Sequence, residues 1–186
     1  MERIALLDMD GTVADYDGQL AKDLATLASP DEKPYVLWER DTVPKYIQAR
    51  MDLIKCRGEW WENLPVLSLG MKIVKALRQF EFDIHILTQG PKKNPEAWSH
   101  KAKWVMKNLP DIPITITRDK GLVYGRVLAD DWPEYIVRWL KFRPRGQVIM
   151  PAHRWNEKFK HPNVLRYDGH NDEELYKALE YAKNRK

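Results

Sequence analysis

The chain has 186 residues, 44% hydrophobic and 31% charged, with a net charge of +4. This is the composition of a globular protein with one domain, or one domain carrying a modest insertion. It excludes a low-complexity chain, its single Cys56 excludes an intramolecular disulfide, and no apolar run is long enough to span a bilayer. The mild basicity suits an anionic ligand without requiring nucleic acid.

Ile4-Ala5-Leu6-Leu7, in the predicted strand Arg3 to Leu7, reads as a buried strand. It stops at Asp8-Met9-Asp10-Gly11-Thr12. In an extended chain residues i and i+2 point the same way, so Asp8 and Asp10 are expected on one face at the strand's C-terminal end. Two readings are open. One is a solvated turn, since Asp-Gly is a common turn pair. The other is a metal-assisted site, in which a cation or a proton relieves the like charges, one carboxylate acts as nucleophile and the other as acid/base.

Residues 17–65 break the strand–helix alternation. They have helical character and carry Tyr35, Trp38, Tyr46, Trp60 and Trp61. They read as a small helical cap inserted into an α/β core of residues 1–16 and 66–186. Eight Trp in the chain point to aromatic packing or stacking surfaces. Cys56 is expected to pack within the cap and fits a reducing compartment. No basic segment followed by an apolar one opens the sequence, so a cytoplasmic protein is expected.

Met71 to Phe80 has helical spacing, with Ile73, Val74, Leu77 and Phe80 apolar. A second strand covers Phe82 to Leu87 and ends at Thr88. Pro95 to Leu109 reads as a helix with Trp98, Ala102, Val105 and Leu109 on one side. Ile112 to Ile116 is a third strand, with Pro113 arguing for a sheet edge or a strand start. Val127 to Ala129 is a fourth, ending at Asp130-Asp131, and Gln147 to Met150 a fifth. Helices follow at Pro133 to Phe142 and Asp172 to Ala182. Lys183 to Lys186 reads as a frayed basic tail. The alternation predicts a doubly wound, mostly parallel α/β sheet, in which ligands bind at the C-terminal strand ends. Asp8, Thr88 and Asp130-Asp131 all fall at such ends. Asp130-Asp131 can also cap the helix that begins at Trp132-Pro133.

Asp8-Met9-Asp10-Gly11-Thr12, Ile86-Leu87-Thr88, Lys120 and Asp130-Asp131 stand in the order of the four motifs of the haloacid dehalogenase-like phosphohydrolase superfamily, which the chain resembles. The closer resemblance is to the 5′(3′)-deoxyribonucleotidases. It rests on Asp8 through Tyr16, Trp60 to Pro65, Lys101-Ala102-Lys103-Trp104-Val105, and Thr117-Arg118-Asp119-Lys120 ten residues before the paired aspartates. It covers roughly residues 1 to 160. That spacing favours Lys120 over Lys101 or Lys103 as the catalytic lysine. Gln89-Gly90-Pro91 after Thr88 departs from the family pattern.

The resemblance implies a Mg²⁺-dependent phosphomonoesterase acting on nucleoside monophosphates through an aspartyl-phosphate. Asp8 would be the nucleophile and Asp10 the acid/base. Asp8, the Asp10 backbone carbonyl and Asp131 would hold Mg²⁺, with Asp130 in support. Thr88 and Lys120 would hold phosphoryl oxygens. Of the aromatic residues Tyr16, Trp38, Tyr46, Trp60 and Trp61, which either stack a base or fill the cap, Tyr16 and Trp61 are the candidates nearest the motifs. Gln89 and Arg118 are further substrate-binding candidates. His153, Arg154, Trp155 and Asn156 either line the site or are structural. A 3′-phosphatase on nucleic-acid ends and a catalytically inactive nucleotide-binding regulator are the alternatives. The partner expected is a small nucleotide, with no stably bound nucleic acid and no membrane, for a monomer or homodimer.

Overall fold

A parallel sheet carries strands β1 (Ile4–Leu7), β2 (Asp83–Gln89), β3 (Ile114–Thr117), β4 (Val127–Ala129), β5 (Gln147–Pro151) and β6 (Val164–Tyr167) in the order β3-β2-β1-β4-β5-β6. The structure is a computed structural model that describes residues 3–33, 35–37 and 42–185. The helices are α1 (Tyr16–Thr26), α2 (Lys45–Lys55), α3 (Gly58–Glu62), α4 (Ser68–Gln79), α5 (Glu96–Asn108), α6 (Pro133–Phe142) and α7 (Asp172–Asn184). Among the described residues, none is long and apolar enough to cross a membrane.

The sheet is buried on both faces, which is why its strands read as continuous apolar runs. Along β1, Leu6 joins one core while Ala5 and Leu7 join the other. Helix α6 brings Ile136, Trp139 and Leu140, at i, i+3 and i+4, onto the Leu6 face with Leu87, Leu128, Val148 and Met150. The opposite face takes Ile73, Val74 and Leu77 of α4, Trp104 and Val105 of α5, and Leu175, Leu179 and Ala182 of α7. The strand order reverses at β1, which pairs with β2 on one side and β4 on the other. That is the switch point where doubly wound sheets bind ligands. Asp8 follows β1 there and Asp130-Asp131 follow β4.

Two features differ from expectation. Val164-Leu165-Arg166-Tyr167 forms a sixth strand at the sheet edge, where Arg166 turns its guanidinium to the His153 carbonyl and to Asn156 Oδ1. The basic C-terminal segment is anchored as far as it is described. Helix α7 runs to Asn184, and Arg126 donates to the carbonyls of Ala182, Lys183 and Arg185. Lys186 lies outside the described residues.

The helical excursion departs at Ala14, after β1, and rejoins at Val66, before α4, and these two residues are bridge partners. Asp15 N–H donates to the Pro65 carbonyl and Leu67 N–H to the Val13 carbonyl, both at 2.8 Å. Between these points α1 and α2 enclose their own apolar cluster of Leu20, Leu24, Leu37, Ile47 and Ile54. Helix α3 behaves differently. It packs on α5, its Trp61 and the following Leu64 join the sheet core, and Trp104 Nε1–H donates to the Leu64 carbonyl at 2.7 Å.

Candidate active site

At the end of β1 the chain stops being extended. The N–H groups of Thr12, Val13 and Ala14 all converge on the Met9 carbonyl, making a tight turn. Gly11 in that turn has φ +72°, and a Cβ there would meet Asp131 Oδ2 at 2.5 Å. Glycine is therefore required on two counts, backbone conformation and space. The turn sends the two aspartates of the motif to different partners. Asp8 Oδ1 meets Lys120 Nζ at 2.7 Å, whereas Asp10 Oδ2 meets Lys101 Nζ at 2.5 Å. Both still line one cavity, of about 610 Å³, so the expected shared face becomes a shared cavity with separate anchors.

Lys120 is buried in a single 3₁₀ turn (Lys120–Leu122). Asp119 caps that turn by accepting from Gly121 N–H at 2.9 Å, and α6 clamps it: Arg138 pairs with Asp119 at 2.5 Å and Arg143 donates to the Gly121 carbonyl at 2.6 Å. The Lys120 ammonium lies 2.7 Å from both Asp8 and Asp130. Burial disfavours its charge, but Asp130 and Asp8 outweigh that and hold it above the ordinary lysine value. Lys120 is thus a buried, doubly paired cation and not a solvated surface lysine.

Asp130 is fully buried. Its Oδ1 accepts from Trp132 N–H at 3.0 Å, and Trp132, not either aspartate, is the N-cap of α6. Burial pushes the Asp130 carboxyl up to about 6, and burial together with Asp130 and Asp8 pushes Asp131 well above the carboxylate range. Carboxylate oxygens of Asp8, Asp130 and Asp131 all lie within 4.8 Å of one another. Three buried carboxylates against the single ammonium of Lys120 leave excess negative charge. Such a set is stable only with further protons or a cation. All the donors are hard oxygens, which suits Mg²⁺.

The segment after β5 braces this cluster. Trp155 Nε1–H donates to Asp131 Oδ2 at 3.0 Å, and Asn156 Nδ2 donates to the Asp131 carbonyl at 3.0 Å. His153 stacks on Trp155 and its Nε2 meets the Gly11 carbonyl at 2.6 Å. Burial holds this imidazole below its ordinary value. None of these residues lines the cavity, so their role is structural support of the acidic end.

Lys101 is the residue that sequence reasoning passed over. It is fully buried on α5. Its ammonium donates to Asp10 Oδ2, to Thr88 Oγ1 at 3.0 Å and to the Gln89 carbonyl at 3.0 Å, and lies 4.9 Å above the Trp61 ring. Burial raises Asp10 above the usual carboxylate range, and Lys101 pulls it back. Asp10 Oδ1 is buried without a hydrogen-bond partner among the described residues, a cost that a proton or a ligand donor would relieve. Thr88, also fully buried, keeps its hydroxyl proton free to donate, because its oxygen is the acceptor for Lys101.

Tyr16, Trp61, Gln89 and Arg118 line the cavity with Asp8, Asp10, Lys120 and Asp131. Thr88 and Asp130 lie fully buried and do not line it. Tyr16 packs against Trp60 and Trp61 at 5.3 and 5.6 Å between centroids, which leaves Trp61 largely a floor for Lys101. Trp60 and Tyr46 lie away from the cavity. Trp60 Nε1–H binds Asp23 and Tyr46 meets Tyr35. Trp38 falls outside the described residues. Cys56, expected inside the cap, is exposed at the cavity rim instead.

Residues 2–179 match the model of the family described as 5′ nucleotidase, deoxy (pyrimidine), cytosolic type C protein. No curated individual protein matches the chain. Among solved structures, a haloacid dehalogenase-like hydrolase from Burkholderia xenovorans superposes with a TM-score of 0.58 at 14% identity, covering 97% of this chain and 99% of that one. A HAD hydrolase of family IA, variant 3, from Entamoeba histolytica gives 0.54 at 12% identity over 97% and 100% of the two chains. A HAD family hydrolase from Deinococcus radiodurans, solved with bound phosphate and sodium, gives 0.50 at 13% identity over 98% and 96%. At these identities the likeness concerns the fold.

Proposed function

We propose that this chain, which belongs to the cytosolic type C family of deoxy (pyrimidine) 5′ nucleotidases and is a HAD-type phosphatase, is a Mg²⁺-dependent phosphomonoesterase that hydrolyses deoxyribonucleoside monophosphates to nucleoside and phosphate. The observation that carries the reading is Lys120, buried at 2.7 Å from both Asp8 and Asp130 beneath the cavity. A carboxylate so held keeps one oxygen on the lysine and presents the other to a phosphorus atom. The family's designation makes 2′-deoxypyrimidine 5′-monophosphates the first substrates to test, and supports a cytoplasmic location.

In this reading Asp8 attacks phosphorus as the ester P–O bond breaks, and the Asp10 carboxyl gives its proton to the departing nucleoside oxygen. Asp10, now a carboxylate steadied by Lys101, takes a proton from water as that water attacks the aspartyl-phosphate. Phosphate leaves and Asp8 is regenerated. The Thr88 hydroxyl donates to one phosphoryl oxygen and the Lys120 ammonium neutralises another, and such charge stabilisation is most of what phosphoryl transfer asks of a protein. Asp8, Asp131 and the Asp10 backbone carbonyl would hold Mg²⁺, with Asp130 bound to Lys120 in support. When bound, the ion supplies charge neutralisation at the phosphoryl group. The helices of residues 17–65 act as the cap, placing Tyr16 against the base.

Phosphate release from deoxy- and ribonucleoside 5′- and 3′-monophosphates tests the assignment. Strong turnover of one or a few deoxynucleotides is expected, abolished by EDTA and restored by Mg²⁺. Turnover restricted to generic esters such as p-nitrophenyl phosphate would keep the phosphatase and discard the nucleotidase. Trp155→Phe keeps the stack on His153 but removes the donor to Asp131. It is expected to weaken Mg²⁺ binding by about 10- to 100-fold in a calorimetric titration. Unchanged affinity would remove Asp131 from the ligand set or Trp155 from its support.

A further inference from the structure

The proposed phosphoryl contacts are Lys120 and Thr88, yet further cations line the cavity. On the cap side the charges offset one another: Lys55 pairs with Asp52 at 3.6 Å, and Asp17 stands nearby. On the other side, the loop after β2 contributes Lys92 and Lys93, and Arg118 follows β3. None of these three has a carboxylate partner among the described residues. Arg118 is held in place by donating to the Gly90 carbonyl at 3.0 Å. Lys92 and Lys93 are both exposed.

The same three-residue edge of Pro91, Lys92 and Arg118 also borders a second groove of about 520 Å³, completed by Pro95 and Trp98. Trp98 is fixed as the wall of this groove. Its Nε1–H donates to the Pro91 carbonyl at 3.1 Å, and its ring packs on Gly90, where a Cβ would meet it at 2.0 Å. The catalytic cavity therefore continues across unpaired cations into a groove with a rigid aromatic wall. Cations that track a backbone, followed by an aromatic face, are what single-stranded nucleic acid uses.

We infer that the site accepts the terminal phosphomonoester of a short single strand, with the adjacent phosphodiester on Lys92, Lys93 and Arg118 and the second base against Trp98. The inference extends the nucleotidase reading and rests on its catalytic centre. The reaction stays the same: the terminal P–O ester bond breaks and the strand departs with the proton from Asp10.

The test compares kcat/KM for thymidine monophosphate, thymidine 3′,5′-bisphosphate and phosphate-terminated dithymidylate, for wild type and a Lys92→Ser, Lys93→Ser double variant. At low salt the dinucleotide is expected to exceed the mononucleotide by about tenfold, the scale of one stacked base. That advantage should shrink as salt is raised. The bisphosphate should gain less, since it has no second base. The double variant should lose most of the advantage while mononucleotide turnover stays within about twofold. A dinucleotide no better than the mononucleotide, an advantage that survives the double variant, or an equal gain for the bisphosphate would each overturn the strand reading. Inert mononucleotides with an active dinucleotide would sink the mononucleotide reading alone. If both are inert while p-nitrophenyl phosphate turns over, both readings fail.

Discussion

Asp8→Asn is expected to lower nucleotide turnover by a factor on the order of 10⁴ or more, the scale seen when a covalent nucleophile is removed. The substitution is nearly isosteric, so the Asn carbonyl can still accept from Lys120, which sits 2.7 Å from Oδ1. Lys120 also keeps its second partner, Asp130 at 2.7 Å, so its charge stays compensated and the fold should hold. Unchanged circular dichroism with lost turnover separates chemistry from stability. Beryllofluoride, which mimics a phosphorylated aspartate, should inhibit the wild-type protein and should not bind the variant. Residual turnover above a few per cent would remove Asp8 as the nucleophile.

Lys101→Met should cost about a hundredfold in nucleotide turnover, within the range assigned to general acid–base catalysis. Methionine can fill the space over Trp61 but leaves the half-buried Asp10 carboxyl without its cation. Burial already raises Asp10, and loss of Lys101 raises it further, making Asp10 a weaker acid. Departure of an alkoxide, which needs that proton, should suffer most. p-Nitrophenyl phosphate, whose leaving phenolate needs none, should lose markedly less. Equal losses on both esters would place the role of Lys101 at Thr88, which it also binds at 3.0 Å, and not at Asp10.

The contrast between Lys120 and Lys101 shows what a sequence makes legible. Asp8, Thr88, Lys120 and Asp130-Asp131 stand at or near strand ends, where an apolar run stops at a polar residue. The aspartates and Thr88 were visible because a buried parallel strand leaves a long apolar trace, as in Ile4 to Leu7 and Val127 to Ala129, whereas Lys120 was visible only through the family resemblance and its place ten residues before Asp130. Lys101 sits in the middle of a helix and looks like a solvent-facing position. The apolar stripe assigned to that helix was Trp98, Ala102, Val105 and Leu109. The stripe that is buried is Ala97, Lys101, Trp104 and Val105, rotated by about one residue. Lys101 occupies the i+4 position of that stripe, so its helical phase was the missing signal. Strand β6 escaped for a different reason. It has four residues, one of them Arg166, whose charge is satisfied by a loop that sequence alone does not bring near. Cys56 was misplaced because the cap has no strong periodicity to say which face is inside.

The bridge between Ala14 and Val66 closes a long excursion of the chain with neighbouring residues at its base. Lengthening such an excursion adds only a slowly growing entropic cost, and neither end of it enters the sheet register. Natural selection can therefore splice, duplicate or exchange the stretch carrying α1 and α2 while β1 and the aspartates that follow it stay in place. Only α3, tied to α5 through Trp61 and the Leu64 carbonyl, belongs to the part that must be inherited with the reaction. The excursion can thus change in length or content without moving the carboxylates that follow β1.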